Sequence, residues 1–397
     1  MALESPDLLR PEHVAALQSS AGNKTVQGLF KLGRKKKPQG PGALTWQNTK
    51  WADARFLGAS DGGTTGVLFA GARGQEVVVK PGEAMDVEGG VASYMINQAA
   101  AAGGSGVALA PGYRVASSTE TRQMEQVFRG LVPAAGKEKR VSNLIGKLSA
   151  GGVVVQDVAQ GKALNEAIDD LPKHTKQRRF GGGRKLRADS PMRIFTDPRK
   201  VHSLGSVHAA DMFSGNDDRL GGDVLNLENI LVSGNKLGMI DNVMDKDKSY
   251  LRDFTIGKTV KTKKTADDAI ADWKAQPATK QLAAGKFDEV AAQIFQRLLK
   301  DAPRALHHDV NDAAGRKIGS RGRAVDADAI TEILKEHQDM FEMAFAAGLA
   351  AGRDQLVRSL NKLLQMEGLL EEVAGGGDLT EVRRVLATRR DFLLNGA

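Results

Sequence analysis

Residues 211–242 hold Asp217-Asp218 in a polar loop, Asn226 and Asn229 ahead of an apolar run, and Asp241 behind a second one. These are the residue types that phosphoryl transfer uses. That reaction needs an oriented nucleophile, Mg²⁺ on the phosphates and positive charge near the transferred group. Asp218 is placed to orient an acceptor hydroxyl and take its proton, with Asp217 beside it as the competing base. Asn229 and Asp241 offer hard oxygen ligands suited to Mg²⁺, and Asn226 competes with Asn229. The Gly215-Asn216-Asp217-Asp218 run is also ordinary turn chemistry, because Asn and Asp bond their own backbone. Its weight therefore depends on residues elsewhere in the chain.

Upstream, Gly62-Gly63-Thr64-Thr65-Gly66 lies between short apolar runs, and Glu76-Val77-Val78-Val79 ends in Lys80. Glycines let backbone N–H groups approach phosphate closely, and a lysine at a strand end supplies positive charge to it. Glu88 opens an apolar run (Val91, Tyr94, Met95, Ile96) that reads as a helix, and it is the candidate partner of Lys80. Glu83 is the alternative. A glycine turn or a strand-end lysine alone is weak evidence; the ordered set of glycine turn, lysine, acid, then base, Asn and Asp is a more specific pattern.

These side chains need particular elements to position them. Ile230-Leu231-Val232 and Leu237-Gly238-Met239-Ile240 read as short strands joined at Ser233-Gly234-Asn235-Lys236. Such a hairpin brings the ligand before its first strand near the ligand after its second. The polar loop is entered from a helix with Asp197 as N-cap and Pro198 at its first position. Its apolar face is Val201, Leu204, Val207 and Met212, and Gly215-Asn216 ends it.

Elsewhere, residues 31–44 read as a basic, Pro- and Gly-rich linker, and residues 50–155 hold short β-runs with one helix. Residues 99–106 read as a helix end and turn, and basic residues 173–187 as an exposed flexible insert. The chain after 265 reads as helical. Thr265 with Asp268 makes a capping-box pattern, and Ile330, Ile333, Leu334, Phe341 and Phe345 keep helical spacing, as do Leu356, Val357, Leu360, Leu363 and Leu364. The domain boundaries expected are 1–44 for an N-terminal segment and linker, 45–160 for a small β-rich unit, and 161–397 for a helical unit carrying the 211–242 loop.

Residues 205–219, Gly-Ser-Val-His-Ala-Ala-Asp-Met-Phe-Ser-Gly-Asn-Asp-Asp-Arg, resemble the catalytic loop of atypical kinases. The nearest type is actin-fragmin kinase, with HipA-type toxin kinases and phosphoinositide kinases more distant. The resemblance implies an α+β, protein-kinase-like bilobal fold: a small β-rich N-lobe, a larger helical C-lobe and a helical C-terminal extension. It implies ATP and Mg²⁺ as cofactors, Asp218 as catalytic base, Asn229 and Asp241 as metal ligands, and Lys80 with Glu88 on the nucleotide phosphates. Gly62, Gly63, Thr64, Thr65 and Gly66 would cover those phosphates. Val153–Val158 would form the strand and hinge at the adenine, with Gln156 and Val158 in contact. The chain departs from the family in its Gly-Gly-Thr-Thr-Gly turn, in an extra Gly221-Gly222-Asp223, and in Asn242 where Phe-Gly often follows the last aspartate.

Residues 11–27, Pro-Glu-His-Val-Ala-Ala-Leu-Gln-Ser-Ser-Ala-Gly-Asn-Lys-Thr-Val-Gln, are similar to the front of bacterial polymorphic toxins and contractile-injection-system cargo proteins. That likeness implies a bacterial effector loaded on a delivery apparatus through residues 1–30. It would be exported without a signal peptide and act on a protein, possible cytoskeletal substrates included, in a target-cell cytoplasm.

Composition narrows the classes. The chain has 397 residues, no cysteine, 41% apolar and 5% aromatic residues, and a net charge of +8. Disulfides and thiolate metal sites are excluded. No apolar run approaches the roughly 20 residues of a membrane helix, and no secretory signal pattern is present. The positive charge gathers at 31–37, 173–187 and 257–264 and favours anionic partners. The sparse aromatics provide no stacking platform, so specific nucleic-acid binding is not expected. The seven histidines form no metal cluster along the sequence, and His307-His308 read as surface residues. Three classes remain: a protein kinase effector, a phosphoinositide kinase effector, and a non-catalytic nucleotide-binding scaffold.

Overall fold

The computed structural model describes residue 51 and residues 54–396 apart from short stretches, chiefly 60–67, 82–86, 103–107, 132–137, 149–152, 179–182, 217–218, 223–224, 234–235, 241–254, 261–265, 307–319 and 375–378. In chain order the first elements are β1 (Arg55–Ala59), β2 (Leu68–Ala72), β3 (Gln75–Pro81), α1 (Val87–Ala102), β4 (Ala108–Leu109) and β5 (Tyr113–Val115). There follow α2 (Ser118–Leu131), α3 (Glu138–Leu148), β6 (Val153–Asp157), β7 (Lys162–Ala163), α4 (Leu164–Asp169), β8 (Thr175–Gln177) and β9 (Arg184–Leu186). Next are α5 (Pro198–Ser214), β10 (Ile230–Ser233), β11 (Lys236–Met239), β12 (Thr255–Ile256) and β13 (Thr259–Val260). The remaining helices are α6 (Ala266–Ala275), α7 (Pro277–Ala283), α8 (Phe287–Leu306), α9 (Ser320–Glu336), α10 (Gln338–Gln365), α11 (Glu367–Ala374) and α12 (Leu379–Asn395). The class is mixed α+β with small, largely antiparallel sheets.

The chain divides into two compact units. The first comprises residues to Gly90, Pro111–Val158 and Glu371–Gly377; the second comprises Val91–Ala110, Ala159–Leu370 and Asp378–Ala397. The first unit is built on a five-stranded sheet in the order β1-β2-β3-β6-β5. One face is apolar by strict alternation: Val77 and Val79 of β3 and Val153 and Val155 of β6 are fully buried, as the period-2 geometry of a strand requires. Trp51 and the inward faces of α2 (Met124, Phe128) and α3 (Leu144, Ile145, Leu148) complete this core. The indole N–H of Trp51 donates to Glu120 Oε1 at 2.6 Å, so the buried ring has a partner for its polar edge.

The second unit is helical around α5 and α10. Asp197 caps α5, its Oδ1 accepting from the Arg199 N–H, and Pro198 takes the first position. Gly215 ends the helix at φ 70, a left-handed conformation that glycine adopts without a Cβ penalty. Val201, Leu204, Val207 and Met212 are all buried, as their spacing requires. The contact with α10 is closer than ordinary helix packing because glycines face it. A Cβ on Gly348 would lie 2.1 Å from the His202 carbonyl oxygen, and one on Gly205 2.2 Å from that of Phe345. The Ser206 hydroxyl crosses the same contact to donate to the Gly348 carbonyl at 3.1 Å.

A four-stranded sheet, β4-β11-β10-β7, belongs to this unit. Its β10–β11 hairpin is antiparallel with Ile230 opposite Met239, which is the expected pair of short strands. Residues 173–187 differ from the flexible insert expected. Their described part forms an antiparallel hairpin, β8–β9, with Lys176 opposite Lys185. An ion pair from Arg178 to Glu336 of α9, at 2.6 Å, ties it down. Among the described residues no helix is long and apolar enough to cross a membrane.

Candidate functional site

The sequence-derived site residues fall in both units, and each group has its own local geometry. In the first unit, Lys80 is the penultimate residue of β3, opposite Val154, and Val78 is opposite Gln156. Directly opposed residues share a face, so Lys80 and Gln156 lie together on the face away from the valine core. A ladder places such diagonal neighbours about 7–8 Å apart. Lys80 is half-buried, Gln156 is buried and Val158 follows the strand end, half-buried. Glu88 lies in the first turn of α1. Its side chain lies outside the described residues, as do Glu83 and the turn Gly62, Gly63, Thr64, Thr65 and Gly66.

In the second unit, the loop from α5 to β10 is bound by buried charge. Arg219 and Asp211 are each 1% exposed and form a two-point pair. Arg219 Nε donates to Asp211 Oδ2 at 3.0 Å, and Nη2 donates to Oδ1. Burial pushes the Asp211 carboxyl up; the Arg219 charge, then its hydrogen bond, pull it back. The third donor of the guanidinium, Nη1, reaches the Ile240 carbonyl at 2.7 Å. The planar fork of arginine presents these donors from three separate nitrogens in fixed directions, which the single ammonium of lysine does not.

Helix α8 holds the far side of the same loop. Arg297 Nη1 donates to the carbonyls of Leu220 and Gly221, each at 3.0 Å. One turn on, Asp301 Oδ2 accepts from the Leu225 N–H at 3.0 Å. The carbonyl of Phe213, in the last turn of α5, accepts from the Trp273 indole at 2.7 Å and from Arg389 at 3.2 Å. The Arg389 guanidinium carbon lies 4.8 Å from the Trp273 ring centroid, so the buried cation is also stacked.

His208 sits one turn before Asp211, buried, with its ring 5.8 Å from that of Phe345. Its Nδ1 has no hydrogen-bond partner among the described residues. Burial first, then the charges of Arg297 and Arg219, hold its pKa down to about 3, so the ring is neutral. His174 is buried as well, with ring nitrogens against Ser190 Oγ and the Ile168 carbonyl.

Asn229 and Asn226 separate in role. Asn226 Oδ1 accepts from the Glu228 N–H at 3.1 Å and caps a single 3₁₀ turn, Leu227–Asn229. Asn229 is 5% exposed, and its carbonyl accepts from the Ile240 N–H at 3.2 Å. The hairpin register thus continues one step past the strands, with Asn229 across from Ile240 and Asp241 next in the chain. Asp241, Asp217 and Asp218 themselves lie outside the described residues. Among the described residues no group of three or more histidines and carboxylates is placed to hold a metal. One carboxylate and one amide oxygen would be a donor set suited to Mg²⁺, which binds through one or two protein oxygens with phosphates and water completing the shell.

Sequence reasoning missed the partners of this loop. For Asp211 the available signal was its position as an acid on the apolar face of α5, three residues from His208, which calls for a buried cation. Arg297 and Asp301 carry no such signal, because at four residues' spacing they look like a surface ion pair. No protein-family model, curated protein or solved structure matches this chain.

Proposed function

We propose that this chain is an ATP- and Mg²⁺-dependent phosphotransferase with protein-kinase-like architecture, a bacterial effector that moves the γ-phosphate to a protein hydroxyl in a target cell. The observation that carries the reading is the tied hairpin: Asn229 lies across from Ile240, one residue before Asp241, and one buried arginine fixes that backbone to the helix entering the Asp217-Asp218 loop. Phosphoryl transfer is chiefly a problem of positioning charged oxygens, so a loop held by buried charge at both ends suits it.

In this reading Asp218 orients the acceptor hydroxyl and receives its proton. Lys80 meets the nucleotide phosphates, with Glu88 holding the lysine and Gly62, Gly63, Thr64, Thr65 and Gly66 covering the phosphates. Gln156, on the same sheet face as Lys80, and Val158 contact the base. Asn229 and Asp241 hold Mg²⁺, which neutralises charge on the phosphates. Residues 1–30 serve loading onto a delivery apparatus.

The test is incubation of purified protein with Mg²⁺ and γ-labelled ATP against a eukaryotic lysate and, separately, phosphoinositide vesicles, with mass spectrometry of the labelled products. Label on protein hydroxyls is expected. Asp218→Ala is expected to lower transfer by about 10²–10⁴-fold, the share of a general base, with an unchanged circular dichroism spectrum. Label on lipid alone would move the acceptor to an inositol phosphate. No transfer to either acceptor, together with no Mg²⁺-dependent ATP binding, would reject the reading.

A further inference from the structure

Two chain segments converge on the Arg219 guanidinium. Two of its nitrogens engage Asp211, in the last two turns of α5, and the third engages the Ile240 carbonyl, just past β11. The Arg219 carbonyl in turn accepts from the Asn226 N–H at 2.9 Å, so its backbone also closes the loop that precedes Asn229. The α5 end is held independently by Trp273 and Arg389, and the middle of the loop by Arg297 and Asp301. The α5 end and the middle of the loop therefore have anchors besides Arg219. What Arg219 adds is the connection from that anchored loop to residue 240.

We infer that Arg219 is a positioning residue: it locks the backbone immediately before Asp241 in register with the helix that delivers Asp217 and Asp218, so base and ligand move as one piece. Its functional half rests on the phosphotransferase reading above; its structural half does not. The buried pair has a desolvation cost, and apolar side chains of similar volume often replace such pairs with no loss of stability. A site that needed only a filled interior would tolerate that replacement. A site that needed the carbonyl of residue 240 fixed would not.

The test follows from this difference. The double variant Asp211→Leu/Arg219→Met is compared with the wild type by melting temperature, by hydrogen exchange at single amides, and by steady-state transfer with Mg²⁺-ATP. Expected are a melting temperature near that of the wild type and exchange about tenfold faster at the Ile240 and Asn226 amides, with α10 unchanged. Expected too is a fall in kcat of about 10²-fold, the scale of a 1 Å misplacement, with the KM for ATP nearly unchanged. A folded double variant with wild-type exchange at Ile240 and wild-type kcat overturns the inference. If the double variant does not fold, Arg219→Lys is read in the same way, because one ammonium cannot span Asp211 and the Ile240 carbonyl as the fork does. If the wild type transfers no phosphate, the phosphotransferase reading fails, and exchange at Ile240 alone decides whether the coupling exists.

Discussion

Lys80 and the 211–240 loop are placed by opposite means. In the five-stranded sheet, position comes from alternation: Val77 and Val79 turn inward, so Val78 and Lys80 turn outward, and the register with β6 puts Gln156 on the same face. In the loop, position comes from named charges: Asp211, Arg219, Arg297 and Asp301, two of them from a helix more than 70 residues further along. The apolar scheme is redundant, since several valines enforce one register. The charged scheme is not, since each buried group answers to a particular partner. A sheet face can therefore drift in sequence while holding its lysine, whereas the loop tolerates little change at its fixed points.

Three measurements break or sharpen that contrast. The largest effect is expected from Arg219→Ala, which leaves Asp211 buried without its cation; removing one partner of such a pair costs about 3–5 kcal/mol. Chemical denaturation checks it, and a loss below 1 kcal/mol would mean that the loop is redundant too. Val79→Ala removes two carbon groups from the sheet core and is expected to cost about 2 kcal/mol, at about 0.8 kcal/mol per group plus a partly relaxed cavity. If the proposed phosphotransferase reading holds, Mg²⁺-ATP affinity should remain near wild type, because Val77 and Val155 still set the register of Lys80. Isothermal titration reads this, and a tenfold loss of affinity would show that the sheet is as singular as the loop.

The effect that is smallest at neutral pH is the pH dependence contributed by His208. Its folded pKa of about 3 lies below the ordinary 6.5, so the unfolded chain binds the proton first as pH falls. The contribution is fully present above about pH 6.5 and is lost toward pH 3, by about 1.4 kcal/mol per pH unit within that window. His208→Gln should flatten the slope of stability between pH 4.5 and 6.5, measured as urea midpoints across buffers. An unchanged slope would assign acid sensitivity to other groups.

Much of the local structure was legible in the chain. Asp197-Pro198 and Gly215 bound α5 because a cap, a proline at the first turn and a left-handed glycine are all local devices. The β10 and β11 runs declared themselves by apolar residues around a polar turn, and Val153–Asp157 by three consecutive valines. The hairpin at 175–186 was hidden because its charges look like a solvated run, and its strands are only three residues each. The approach of Gly348 to His202 was equally invisible, since a glycine within a helical pattern reads as weakness until the facing helix is known. The expected glycine turn, Asp217, Asp218, Asp241 and the N-terminal segment lie outside the described residues.

By itself, then, the amino-acid order determined α5, the β10–β11 pair and the side chains they present, because propensity, capping and periodicity act over a few residues; it did not mark α2 and α3, where one helix was expected across 50–155, or the β8–β9 hairpin. Only the tertiary structure decided that Asp211 meets Arg219, that Arg219 grips the backbone before Asp241, and that α8 closes the loop from behind. Those contacts join residues far apart in the chain, and a buried charge finds its partner through the packing of whole elements, on which local spacing has no hold.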